Sequence, residues 1–156
     1  MKTTLLVIGK TDDEYIDKAI AKYTERIGHY APFELKVIPD VRRNHVSHDQ
    51  QKALEAQLIL KELQPSDSPV LLDENGTEMT SRQFADYYTK ASLSGAKRLV
   101  IIIGGPYGFA PEVYNRVPSR ISLSRMTFSH QMVRLIFVEQ LYRAHTIIKG
   151  EPYHHG

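Results

Sequence analysis

Chemistry in this 156-residue chain has few places to reside. The first is the cluster Gly104-Gly105-Pro106-Tyr107-Gly108, whose three glycines allow a ligand to press against main chain. No Gly-Lys-Ser/Thr follows it and it lacks the G-x-G-x-x-G spacing, so it is neither a phosphate loop nor a dinucleotide loop. Taken alone, a glycine cluster before Ala110-Pro111-Glu112 is also read as a tight connection into a helix. The second place is the basic C-terminal part. Residues 116–156 hold six Lys or Arg against two Asp or Glu and four of the seven histidines, whereas the first 115 residues hold fourteen against sixteen. That asymmetry points mildly to a polyanionic partner, or simply to a solvated basic face. His45 and His48 have no partner at a metal-site spacing, so no metal centre is predicted. With no cysteine there is no thiolate nucleophile, disulfide framework or Cys-ligated zinc or iron–sulfur cluster, and no G-x-S-x-G elbow supports a hydrolase.

The elements that must position these residues follow from periodicity. Strands are predicted at Thr3–Ile8, Phe33–Ile38, Pro69–Asp73, Leu99–Ile103 and Ile121–Phe128. Between them, Thr11-Asp12-Asp13-Glu14 reads as a capping box opening a helix that ends at a left-handed Gly28, with Tyr15, Ile16, Ala19, Ile20, Tyr23 and Ile27 on its buried face. Ser47 and Thr80 open two more helices, the first buried through Leu54, Leu58, Ile59 and Leu63, the second through Phe84, Tyr87 and Tyr88. A long helix from His130 to Lys149 closes at Gly150. Val41 to His48 is an exposed basic loop, with Arg42 and Arg43 as candidates for phosphate contact. Strand–helix alternation predicts a single α/β domain over residues 1–156, a mostly parallel sheet flanked by helices. Ligands of such sheets sit beyond the carboxyl ends of strands, which singles out Leu72, Gly104 and Leu123 onward. No apolar run is long enough for a membrane span or signal segment, so a cytoplasmic protein is expected.

Read together, Ile102-Ile103-Gly104-Gly105-Pro106-Tyr107-Gly108, Leu123 to Gln131, Glu139-Gln140-Leu141-Tyr142-Arg143-Ala144 and Gly150-Glu151-Pro152-Tyr153-His154 resemble the bacterial 23S rRNA pseudouridine N3-methyltransferase family of the SPOUT superfamily. The resemblance spans essentially the whole chain, including Val7-Ile8-Gly9-Lys10 and Leu72-Asp73. One departure is Ser129, where many relatives carry Pro and where a changed helix cap is expected.

The resemblance implies a C-terminal trefoil knot, S-adenosyl-L-methionine as cofactor, and a homodimer acting on 23S rRNA in the 70S ribosome, at the pseudouridine of helix 69. Cofactor contacts would fall at Leu72, Gly104, Gly105, Leu123, Ser124, Arg125, Met126, Thr127 and Phe128. The imide nitrogen must lose a proton, so a base or an anion stabiliser is needed. His154 is the first candidate base, beside Tyr153, and Arg143 is a candidate stabiliser, although it also stands one helical turn from Glu139. Arg125, Arg134, His130 and Lys149 are the expected RNA contacts, with Arg116 and Arg120 beside them. A tRNA methyltransferase of the same superfamily and a non-catalytic ribosome-binding factor are the competing readings.

Overall fold

The computed structural model describes residues 1–41 and 46–156; Arg42, Arg43 and His45 of the expected basic loop lie outside the described residues. Five strands, β1 (Lys2–Ile8), β2 (Phe33–Ile38), β3 (Asp67–Glu78), β4 (Arg98–Ile103) and β5 (Arg120–Ser122), form one sheet in the order β2-β1-β4-β3-β5. Every named pairing is parallel. The central β4 reads Arg-Leu-Val-Ile-Ile-Ile because a parallel strand covered on both faces has no polar side to show. Its alternation sorts the core. Leu99, Ile101 and Ile103 join the cluster holding Ile20, Ile27, Phe84, Tyr88, Phe137 and Leu141. Val100 and Ile102 face the opposite cluster with Ala56, Ile59, Val113 and Val117.

The helices are α1 (Glu14–Gly28), α2 (His48–Glu62), α3 (Ser81–Leu93), α4 (Pro111–Arg116) and α5 (His130–Lys149). Thus α1, α3 and α5 cover one face of the sheet, and α2 and α4 the other. Capping boxes at Ser47 and Thr80 form as predicted, and Gly150 ends α5 in the left-handed conformation. Ser129 caps α5 by accepting a hydrogen bond from Met132 N at 3.2 Å.

Several local expectations are corrected. Asp13, not Thr11, caps α1, accepting from the amides of Tyr15 and Ile16 at 2.9 and 3.1 Å, because the Thr11 hydroxyl accepts from Arg134 instead. Gly28 closes α1 without a positive φ, and His29 and Tyr30 turn the chain by bonding back to Arg26 and Ile27. Tyr15 is exposed. On α2 the buried positions are Gln51, Glu55, Ala56 and Ile59, with Leu58 and Leu63 only packed against them. β5 stops at Ser122, so Leu123 to Phe128 is loop, while β3 runs on past Asp73 to Glu78.

Candidate functional site

The extension of β3 builds the site. Leu72 and Thr77 both face Ile121 of β5, so the four residues between them leave the ladder and swing outward. Asn75 N donates to Asp73 Oδ1 at 2.9 Å, which folds this excursion into a tight turn. Gly76 brings it back. A β-carbon there would lie 2.7 Å from the Ile121 carbonyl carbon, closer than any side chain can approach backbone.

The excursion, the glycine loop after β4 and the loop after β5 enclose a cavity of about 480 Å³, within the size range of small-molecule sites. Leu72, Ile103, Phe109, Leu123 and Val133 give it apolar walls, and Asp73 and Glu74 bring carboxylates. Among the described residues no Lys or Arg lines it. Thr127 Oγ1 donates to Glu74 Oε1 at 3.1 Å, tying the last loop to the first. The Tyr114 hydroxyl donates to Asp73 Oδ2; burial, then that carboxylate, push the phenol up to about 12. A β-carbon on Gly104 would stand 3.0 Å from the Phe109 ring, and one on Gly105 2.6 Å from the buried Glu55 carboxylate. At Gly104 and Gly105 the loop therefore has no room for side chains and presents main chain.

The structure brings Leu72, Gly104, Gly105, Leu123, Ser124, Met126, Thr127 and Phe128 together around this cavity, with His130 beside them at the start of α5. Arg125 does not join them: its side chain points to solvent and pairs with Glu78 at 3.7 Å. Lys149 is exposed at the far end of α5, about 29 Å from His130 along the helix. The expectation for Arg134 is corrected. The residue is 1% exposed and its guanidinium donates to Thr11 Oγ1 at 3.0 Å and Ile8 O at 2.8 Å, fastening α5 to the end of β1 beneath the surface of the chain.

Tyr153, His154 and Arg143 form a second cluster, away from the cavity lining. Glu139 organises it: Oε1 accepts from Arg143 NH2 at 2.6 Å and Nε at 3.2 Å, and from the Tyr153 hydroxyl at 2.9 Å. The Arg143 guanidinium lies 4.8 Å from the Tyr153 ring centroid and reaches His154 Nδ1 at 3.0 Å. Hydrogen bonding to Glu139 holds Arg143 above its ordinary pKa, whereas loss of hydration, then the Arg143 charge, lower that of His154. Burial first, then hydrogen bonds with Tyr23 and Glu139, raise that of Tyr153. Glu139 was legible only as an i,i+4 partner for Arg143. Asp73 reads locally as a strand end and Tyr114 carries no local signal, since its carboxylate partner is 41 positions away.

A parallel α/β sheet with a cavity where three strands end is the arrangement in which α/β proteins of this class hold small molecules. Comparison with known proteins narrows it. Residues 1–154 match the family described as Predicted SPOUT methyltransferase. The chain is 56% identical over 156 residues to a protein of Parabacteroides distasonis named Ribosomal RNA large subunit methyltransferase H, covering 99% of both chains. Proteins of the same name from Porphyromonas gingivalis and Christiangramia forsetii are 55% and 53% identical, again over 99% of each chain. Among solved structures, a probable methylase family protein from Haemophilus influenzae Rd KW20 superposes with a TM-score of 0.50 at 12% identity, covering 99% of this chain and 70% of that one, a likeness of fold. The chain belongs to the SPOUT methyltransferase family.

Proposed function

We propose that this methyltransferase transfers a methyl group from S-adenosyl-L-methionine to N3 of a pseudouridine in 23S rRNA, acting as a homodimer on the 70S ribosome. The observation that carries the cofactor assignment is the charge of the cavity: Asp73 and Glu74 line it, and among the described residues no Lys or Arg does. Such a field favours a cationic sulfonium over a phosphate-bearing ligand. Leu72, Ile103, Phe109 and Leu123 suit the apolar parts of the molecule, and the side-chain-free loop at Gly104 and Gly105 suits hydrogen bonding to main chain. When bound, the cofactor supplies an electrophilic methyl carbon, and the protein contributes by aligning it with the acceptor nitrogen. The substrate assignment rests on the names of the full-length relatives.

The acceptor nitrogen gives up its proton to solvent water, and the tail cluster suits the resulting anion. Arg143 is a fixed cation, and it donates to His154 Nδ1, so a neutral His154 ring carries its hydrogen on Nε2. That makes His154 a donor to an imidate oxygen instead of an acceptor of the proton, which revises the role expected for it. In one chain Arg143 follows His130 along α5 by about 20 Å, and the cluster is not part of the cavity lining. A second copy supplying its tail would unite them, and the exposed Met126, Phe128 and Met132 offer apolar surface beside the cavity for it to cover.

The test is mass spectrometry of nucleosides from 70S ribosomes and tRNA lacking the modification, after incubation with the protein and isotopically labelled cofactor. Labelled N3-methylpseudouridine in 23S rRNA is the expected product. Label in tRNA alone, or no calorimetric binding of the cofactor at millimolar concentration, overturns the reading.

A further inference from the structure

We infer that His48 and Tyr107 form a stacking platform for an unpaired base of the RNA, at the rim of the cofactor cavity; this specifies how the proposed substrate is gripped and rests on that reading. His48 is the first residue of α2 and Tyr107 the tip of the glycine loop. Their rings lie 3.6 Å apart between centroids and within 15° of parallel. Both residues are exposed, Tyr107 by 41%. Its neighbours Pro106 and Gly108 line the cavity, but Tyr107 does not: its ring is turned outward onto His48.

Fastening the loop does not require this pair. Gly108 N donates to Gly105 O at 3.2 Å, which closes the turn from within. From beneath, the Glu55 carboxylate, 3% exposed, fills the space against Gly105. An exposed ring pair buries little area, so it adds little to that support. What it offers is a flat aromatic surface, the feature on which proteins stack splayed-out RNA bases without reading their sequence. Anything seated on Tyr107 is also held beside Gly105, Pro106 and Gly108, and therefore beside the cofactor cavity. The platform would hold a nucleotide next to the one being methylated and leave the target free to enter.

The chain has no tryptophan, so Tyr107→Trp installs a single reporter at the platform. Its fluorescence should be quenched saturably by single-stranded oligouridylate, less so when His48→Ala is added, and not by an RNA duplex. No quenching, or equal quenching by duplex, overturns the inference. In the methylation assay, Tyr107→Leu should raise KM for 70S ribosomes about five- to a hundredfold, with the calorimetric Kd for S-adenosyl-L-methionine unchanged and Tyr107→Phe restoring KM. A weakened cofactor Kd with unaltered KM would show that the stack only braces the loop and would also overturn it. Failure of the unaltered protein to methylate ribosomes would remove the proposed function instead, while the fluorescence measurement, which needs no turnover, still decides the platform.

Discussion

A histidine abstracts a proton only with a nitrogen whose lone pair is available, and Arg143 occupies that of His154 Nδ1. Glu139 is no better placed, since it already accepts from Arg143, Tyr153 and Gln140. The cluster therefore holds a cation and a tyrosine hydroxyl anchored on a carboxylate, with the His154 Nε2–H as the donor not directed at Glu139, an arrangement suited to stabilising negative charge. Glutamine can replace a donating imidazole but not a basic one. His154→Gln should keep single-turnover methylation within about tenfold of the unaltered protein, whereas His154→Ala should lose about 10²- to 10³-fold, as removal of an anion-stabilising donor does. The pH profile separates the roles further. Loss of hydration and the Arg143 charge put the His154 pKa below its ordinary value, so a base at this position would give a rising limb at acidic pH. The donor role predicts that the Gln variant and the unaltered protein share one profile; a limb that vanishes in the variant would restore His154 as the base.

At the scale of elements, the cavity depends on chain segments held where they have no regular partner. The β3 excursion returns to the sheet only because Gly76 passes against the backbone of β5. Gly76→Ala would force the two strands apart. It should cost about 1–3 kcal/mol in denaturant unfolding and weaken cofactor binding in calorimetry, since Asp73 and Glu74 move with the turn. Arg134 does the equivalent work between helix and strand. A fully buried guanidinium that caps the Ile8 carbonyl and ties Thr11 to α5 is a structural part, and burial lowers its pKa from the ordinary arginine value. Arg134→Ala leaves a cavity and an orphaned carbonyl, so stability should fall by about 2–4 kcal/mol. The folded variant should keep its KM for ribosomes; a KM raised in proportion to lost phosphate contacts would put Arg134 back at the RNA surface.

For the molecule as a whole, legibility followed the range of the interaction. Capping boxes at Ser47 and Thr80, the ends of α5 and the apolar strands are local patterns, and they form where periodicity and cap chemistry place them. Leu123 to Phe128 also alternates like a strand, but pairing with β3 ends at Glu78 and Ser122, so the rest becomes cavity wall. Arg134 reads locally as a surface cation because its partners lie 123 and 126 positions away, a separation no local pattern encodes. Likewise Glu55 sits in a polar-looking helix turn, yet packs beneath a glycine fifty positions later.

His145 is the same kind of residue, and its burial ties the stability of the whole fold to pH. It is 7% exposed on α5, stacked on Tyr30 at 5.3 Å and edge-on to Tyr88 at 4.8 Å, so the turn after α1, helix α3 and α5 meet around it. Burial first, and the Lys149 charge one turn on, lower its pKa from 6.5 to about 4. Between those values the unfolded chain binds a proton that the folded chain refuses, so stability rises with pH across this window. Full protonation of the unfolded state alone is worth about 3 kcal/mol at most. Unfolding free energy should therefore climb from pH 4 to pH 6.5 and flatten above it, where both states are neutral at this ring. His145→Phe keeps an aromatic ring between Tyr30 and Tyr88 and removes the titration. In urea unfolding followed from pH 4 to pH 7, its stability should lose most of that slope relative to the unaltered chain; an unchanged slope would assign the acid sensitivity to other groups.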